Sequence, residues 1–152
     1  MNSPSTTNQP LAVLAFDFGL RRIGVAFGAV PSGTASALGV IAARDGAPDR
    51  EQLDRLISEW QPDGLVVGLP GNTDGTASEM TEKTQAFGEW LTQNYQLPVE
   101  YVDERFTSVE AESILKEQRR SGARKRKIQK TDIDAMAAML IAQSWLDRKP
   151  AA

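Results

Sequence analysis

The sequence predicts a mixed α/β domain, with a meander of three antiparallel strands joined to alternating helices and strands in one sheet. Three observations carry that prediction. Three apolar runs lie within the first 42 residues, separated only by short turns. Beyond residue 50 the apolar positions switch to spacings of three and four, the period of a helix that buries one face. Short unbroken apolar runs then alternate with those helices, the pattern of buried parallel strands.

Residues 11–18 (LAVLAFDF) read as the first strand, 19–22 as a turn, 23–30 (IGVAFGAV) as the second strand and 34–42 as the third. Leu53, Leu56, Ile57 and Trp60 recur at i, i+3, i+4 and i+7 and mark a helix that Gln61-Pro62-Asp63-Gly64 ends. Residues 65–69 (LVVGL) form a fourth strand, and 70–75 (PGNTDG) form a loop of turn residues. Met80, Thr84, Phe87 and Leu91 mark the second helix, and 99–102 (VEYV) the fifth strand. Thr107 with Glu110 is a capping-box pair that opens a third helix, running to about Arg120. A basic, flexible stretch follows. The last helix carries Ile133, Met136, Ala137, Leu140 and Ile141, with Thr131 or Asp132 as its N-cap. One domain over 11–148 is expected, behind a polar, disordered tail at 1–10. The tail has no secretory pattern and no apolar run approaches the ~18 residues of a membrane span, so a cytoplasmic protein is expected.

Composition removes whole classes of chemistry. The 152 residues include no Cys and no His. That excludes disulfides, Cys/His zinc sites, cysteine nucleophiles and any histidine base. Catalysis must rest on carboxylates, Lys, Tyr, Ser/Thr or a metal held by oxygen. Net charge is only −3, but the cations are unevenly placed. Lys116, Arg119, Arg120, Arg124, Lys125, Arg126, Lys127 and Lys130 are eight of the 17 Lys and Arg, opposed within that stretch by Glu117. Such a run is either a solvated loop or the footprint of a phosphate backbone.

Several carboxylates sit where carboxylates are disfavoured. Asp17 lies inside the first apolar strand, where a charge needs a partner. Asp103-Glu104-Arg105 ends the fifth strand, and Asp132 and Asp134 open the last helix. Each has an ordinary explanation alone: a salt bridge, a solvated loop, a favourable helix dipole. Together they gain meaning, because ligand sites in open α/β sheets form beyond the carboxyl ends of strands. Asp17 and Glu104 lie at such ends, and a helix start facing that edge would add Asp134. Converging carboxylates repel unless a cation separates them. With oxygen ligands alone, that cation is a hard divalent ion, Mg²⁺ or Mn²⁺, and the matching chemistry is phosphodiester hydrolysis.

The same residues carry a resemblance. Ala15-Phe16-Asp17-Phe18-Gly19 with Arg22-Ile23-Gly24-Val25-Ala26 is similar to the first motif of the YqgF/RuvX family of bacterial RNase H-like nucleases. Val67-Gly68-Leu69-Pro70 with Asp74-Gly75-Thr76, the segment 103–108 (DERFTS) with Glu110-Ala111, and Ile133-Asp134-Ala135 with Ala137-Ala138 resemble the later motifs, in the family's order. The resemblance implies an RNase H-like fold with a five-stranded mixed sheet in the order 3-2-1-4-5, flanked by helices. It implies a metal-dependent nuclease of the bacterial cytoplasm, either maturing the 5′ end of the 16S rRNA precursor within pre-ribosomal particles or resolving Holliday junctions. It further implies that Asp17, Glu104 and Asp134 are the catalytic, metal-binding carboxylates. In that reading Asp17 bridges two ions, Glu104 and Asp134 hold one each, and water is activated without a side-chain base. Spacing leaves Asp132 open as the third ligand; the apolar pattern that follows Asp134 favours Asp134.

Contacts to nucleic acid are expected from Arg22, Asn72, Thr73, Arg105, Arg124, Lys125, Arg126 and Lys127, with surface salt bridges as the alternative for Arg22 and Arg105. Trp60, Trp90 and Trp145 fall on apolar helix faces and are expected to pack in the core. Two other classes compete. An actin-like phosphotransferase would need two such domains, more than 152 residues supply. A non-catalytic nucleic-acid-binding factor on the same fold would be expected to lose the acidic residues.

Overall fold

A computed structural model of the chain describes residues 9–70, 79–104 and 107–148, with the side chains of Glu104, Thr107 and Ser108 outside that description. The elements are β1 (Ala12–Asp17), β2 (Arg22–Ala29), β3 (Thr34–Arg44), β4 (Ala47–Pro48), α1 (Arg50–Trp60), β5 (Gly64–Pro70), α2 (Glu79–Tyr95), β6 (Val99–Glu104), α3 (Thr107–Arg120) and α4 (Lys130–Asp147). Their order is the expected one with a single addition. Strand β4 is a two-residue return from β3, pairing Ala43 with Pro48 and Arg44 with Ala47. Asp45 (φ 52°) and Gly46 (φ 87°) make the turn. An Asp-Gly pair with both φ positive matches the right-handed twist of a tight hairpin. The meander therefore continues past Ala42, and the sheet has six strands rather than five.

The sheet order is β4-β3-β2-β1-β5-β6. Strands β1, β2 and β3 pair antiparallel, whereas β1–β5 and β5–β6 are parallel. The parallel half brings the carboxyl ends of β1, β5 and β6 to one edge. The β1 lead-in is clamped. Asp63 Oδ1 accepts from the Leu11 and Ala12 amides at 3.0 and 2.8 Å. Pro10, within the expected tail, is buried, and its ring lies against Gly64; residues 1–8 lie outside the described residues.

Side chains alternate across the sheet, as a period of two requires. Val13, Ala15, Ala26, Val66 and Val102 face α4 and meet its Ala138, Ile141 and Trp145. Leu14, Phe16, Ile23, Val25, Leu65 and Val67 face the other way, onto Leu53 of α1 and Phe87 and Leu91 of α2. Phe16 and Phe87 meet edge to face, with centroids 5.7 Å apart. Helix α3 rests on α4 through Ala111, Leu115, Met136 and Ala137. The tryptophans pack as expected. Trp145 is buried, Trp60 lies 4.8 Å from the Phe27 ring, and Trp90 packs beside Tyr95. Among the described residues no helix is long and apolar enough to cross a membrane.

Two glycines set how closely α4 can lie on the sheet. A Cβ at Gly68 of β5 would stand 2.9 Å from Ile141 Cγ1. A Cβ at Gly24 of β2 would overlap the Asp134 carbonyl group, 2.6 Å from its carbon. Glycine inside a strand often marks such a close approach. Here it lets the first turn of α4 touch the backbone of β2.

Candidate active site

Asp17 is the last residue of β1 and pairs with Gly24 across the antiparallel ladder. Because Gly24 has no side chain, α4 sets Asp134 down on β2 opposite Asp17. The electrostatics agree with that placement. Partial burial first, and the nearby Asp134 carboxylate second, together push the Asp17 carboxyl up to about 7. Arg22, two residues before Gly24, reaches Asp134, with Nε 2.8 Å from Oδ2. The described heart of the site is thus a half-buried carboxyl, a second carboxylate and one guanidinium. Of the two partners open to Arg22 from sequence, phosphate or carboxylate, it meets the carboxylate here.

Asp132 is occupied elsewhere. Its Oδ2 accepts from the Gln129 amide at 2.8 Å. Arg124 Nη2 lies 2.7 Å from the same oxygen, and Arg126 Nη2 lies 2.9 Å from Oδ1. Burial opposes ionisation of Asp132, but the Gln129 N–H and the two arginines outweigh it and hold the carboxyl below the usual range. The N-cap of α4 is Gln129 rather than Thr131 or Asp132. Asp132 is the third helical residue, reaching back to the cap amide as in a capping box. It fastens the 121–129 segment to the helix, and Asp134 is the one that stands by Asp17.

This assignment separates the two aspartates experimentally. Asp132→Asn is expected to lose about 1–2 kcal/mol of stability, the scale of a lost helix cap, while keeping most cleavage. Asp134→Asn is expected to lose cleavage and keep its fold. Thermal denaturation alongside a nuclease assay checks both; the reverse pattern would exchange their roles.

The remaining expected residues fall as follows. Glu104 ends β6, paired with Pro70 of β5. Phe16 pairs with Val67 and Val67 with Tyr101, so the Glu104 backbone lies three residues further toward the carboxyl edge than the level of Phe16. Its side chain is outside the description, and Asn72, Thr73 and Arg105 lie outside the described residues. Arg124 and Arg126 are engaged by Asp132, whereas Lys125 and Lys127 are exposed. Among the described residues no group of three acidic side chains could hold a metal; Asp17 and Asp134 stand as a pair. The donor set nevertheless suits a hard cation. Both donors are carboxylates, and Asp17 resists ionisation through partial burial and the charge of Asp134.

The sequence reading left Gly24 without a role. A glycine within an apolar strand was the available signal, and its meaning depends on what packs above it.

A family model described as RuvX: Holliday junction resolvase matches residues 11–148. The chain belongs to the RuvX family. Among its relatives is a protein of Azotobacter vinelandii, 43% identical over 143 residues, covering 93% of this chain and 97% of the relative. A protein of Glaesserella parasuis is 45% identical over 137 residues, covering 90% and 96%. Both bear the name "Putative pre-16S rRNA nuclease". Among solved structures, Thermus thermophilus RuvC in complex with a Holliday junction substrate superposes with a TM-score of 0.54 at 16% identity, over 93% of this chain and 98% of that one. The Fowlpox virus resolvase in complex with Holliday junction DNA gives 0.52 at 12%, over 90% and 97%. At these identities the likeness speaks for the fold, which is RNase H-like. As a RuvX-family member, the chain is a nuclease, a hydrolase acting on phosphodiester bonds.

Proposed function

We propose that this RuvX-family chain is a divalent-metal-dependent endonuclease that trims the 5′ end of the 16S rRNA precursor in the cytoplasm. Asp17, Glu104 and Asp134 would hold Mg²⁺ or Mn²⁺. The observation that carries this reading is the half-buried Asp17 carboxyl set against Asp134 at the carboxyl edge of the sheet. The place of Glu104 at the end of β6 supports it as the third ligand. The names of the relatives support the precursor as substrate.

When bound, the metal supplies a nucleophilic water at neutral pH and neutralises charge on the phosphate. The chain's own groups do the rest. Arg22 fixes the orientation of Asp134 through the Nε bond. The register of β1 on β2 and the close seat of α4 over Gly24 place Asp17 and Asp134 on regular elements, which hold a site more precisely than loops do. No side chain needs to act as a base, which suits a chain without histidine.

Purified protein incubated with a 16S precursor carrying its 5′ leader, and separately with a four-way DNA junction, tests the reading. The expected result is shortening of the RNA at its 5′ end with Mg²⁺ or Mn²⁺ and none with chelator. Preferred, symmetric cutting of the junction would favour the resolvase reading, which the structural neighbours support and which requires two active sites in a dimer. Binding without cleavage of either substrate would favour a non-catalytic factor.

A further inference from the structure

We propose that the groove between α3 and the start of α4 is the seat of a phosphodiester strand, held by Lys116, Arg119, Lys127 and Lys130 and leading to Asp134. This rests on the nuclease reading above and names a binding surface for it. The groove encloses about 660 Å³ and is lined by those four cations together with Val109, Glu112 and Asp134, among others. It therefore opens onto a carboxylate of the candidate site itself.

The distribution of ion pairs singles this surface out. The basic run from Lys116 to Lys130 looks uniform in sequence, but the fold divides it. Arg124 and Arg126 are closed onto Asp132, and Arg120 onto Glu117. Lys116 pairs with Glu112 at 3.3 Å. Arg119, Lys127 and Lys130 have no carboxylate partner among the described residues, all three are exposed, and all three line the groove. Three unneutralised cations spread around one groove, Arg119 on α3, Lys127 before α4 and Lys130 at its start, suit an extended polyanion better than a single compact anion. Val109, 66% exposed, adds an apolar wall against which a sugar or base could lie. The Asp132 clamp acquires a purpose as well. By tying Arg124 and Arg126 to the helix start, it fixes the segment that presents Lys127.

The test is equilibrium binding of the full chain to fluorescein-labelled single-stranded RNA and DNA 20-mers of one sequence, in chelator, across a salt series. For Arg119→Gln/Lys127→Gln/Lys130→Gln the slope of log K against log salt is expected to fall by about 2, near 0.7 per lost single-strand phosphate contact. Affinity at low salt should drop about tenfold or more, with an unchanged melting temperature because all three residues are exposed. Arg55→Gln, on α1 across the sheet and outside the groove, should leave the slope intact. A loss confined to RNA assigns an RNA strand, and equal loss on both assigns the shared backbone; either supports the groove. Wild-type binding with an unchanged slope in the triple variant, or an equal fall in Arg55→Gln, overturns the groove and leaves the nuclease reading standing. Failure of the wild type to bind either strand at 50 mM salt also overturns the groove, while the nuclease reading is decided separately by cleavage of the precursor and the junction.

Discussion

Asp17→Asn will abolish metal-dependent cleavage and, in metal-free buffer near neutral pH, give a more stable protein than the wild type. The two effects share one cause. The Asp17 carboxyl is half-buried beside Asp134, and both its partial burial and the neighbouring charge disfavour its ionised form. Unfolded, the group titrates near 3.8; folded, at about 7. Between those values the folded protein holds a proton that the unfolded chain has released. Stability is therefore greatest below pH 4, declines as pH rises toward 7, and changes little above it on account of this group. Three pKa units set an upper bound of about 4 kcal/mol on that decline, and hydration of a site near the sheet edge lowers it. The neutral amide removes the decline. The expected observation is a metal-free melting temperature that falls between pH 5 and pH 8 for the wild type and runs nearly flat for the variant. Cleavage should drop at least about a hundredfold, since a metal contributes several kcal/mol at the transition state. Equal activity in the variant, or a wild-type melting curve indifferent to pH, would remove Asp17 from the site.

The second large effect is expected at a residue with no side chain. Gly24→Ala places a methyl group on the Asp134 carbonyl, a backbone atom that can retreat only if the start of α4 lifts from β2. Overpacking of this kind costs about 1–3 kcal/mol. In a domain of this size that lowers the melting temperature by roughly 2–4 °C per kcal/mol. The activity loss should be larger than the stability loss implies, because lifting α4 carries Asp134 away from Asp17. Misplacement by ~1 Å costs on the order of a hundredfold in rate. Gly28→Ala, on the same strand and under the same helix, is the comparison. Its Cβ would lie 3.4 Å from the Ala142 Cβ, an ordinary contact, so it should melt and cut much like the wild type. A Gly24→Ala protein with full activity would show that the close approach of α4 to β2 does not hold the carboxylates together.

These effects also indicate which parts of the molecule could be read in advance. The strand and helix order was legible because the apolar period changes from two to three-and-four at a definite place, and the burial on both faces of the sheet follows that pattern. Strand β4 escaped because Asp45-Gly46 was not weighed as a hairpin turn, although its residue types suit one. Asp17 announced itself as a charge in an apolar strand. Asp132 and Asp134 could not be separated by spacing, since two acids one dipeptide apart both suit a helix N-terminus. What separates them is three-dimensional: one meets Arg124 and Arg126, the other meets Arg22. The basic run is a parallel case. Its charge could be counted along the chain, but which cations remain unpaired follows from where Asp132, Glu117 and Glu112 stand after folding.

Asp17 and Asp134 are expected to share a divalent ion. Titrating Mn²⁺ into the protein at pH 7.5 and following the EPR signal of the free ion tests this without any nucleic acid. The wild type is expected to take up Mn²⁺ and quench the signal, while Asp17→Asn and Asp134→Asn leave it near that of buffer and Asp132→Asn behaves as the wild type. Uptake equal in all four proteins, or absent from the wild type, would contradict it.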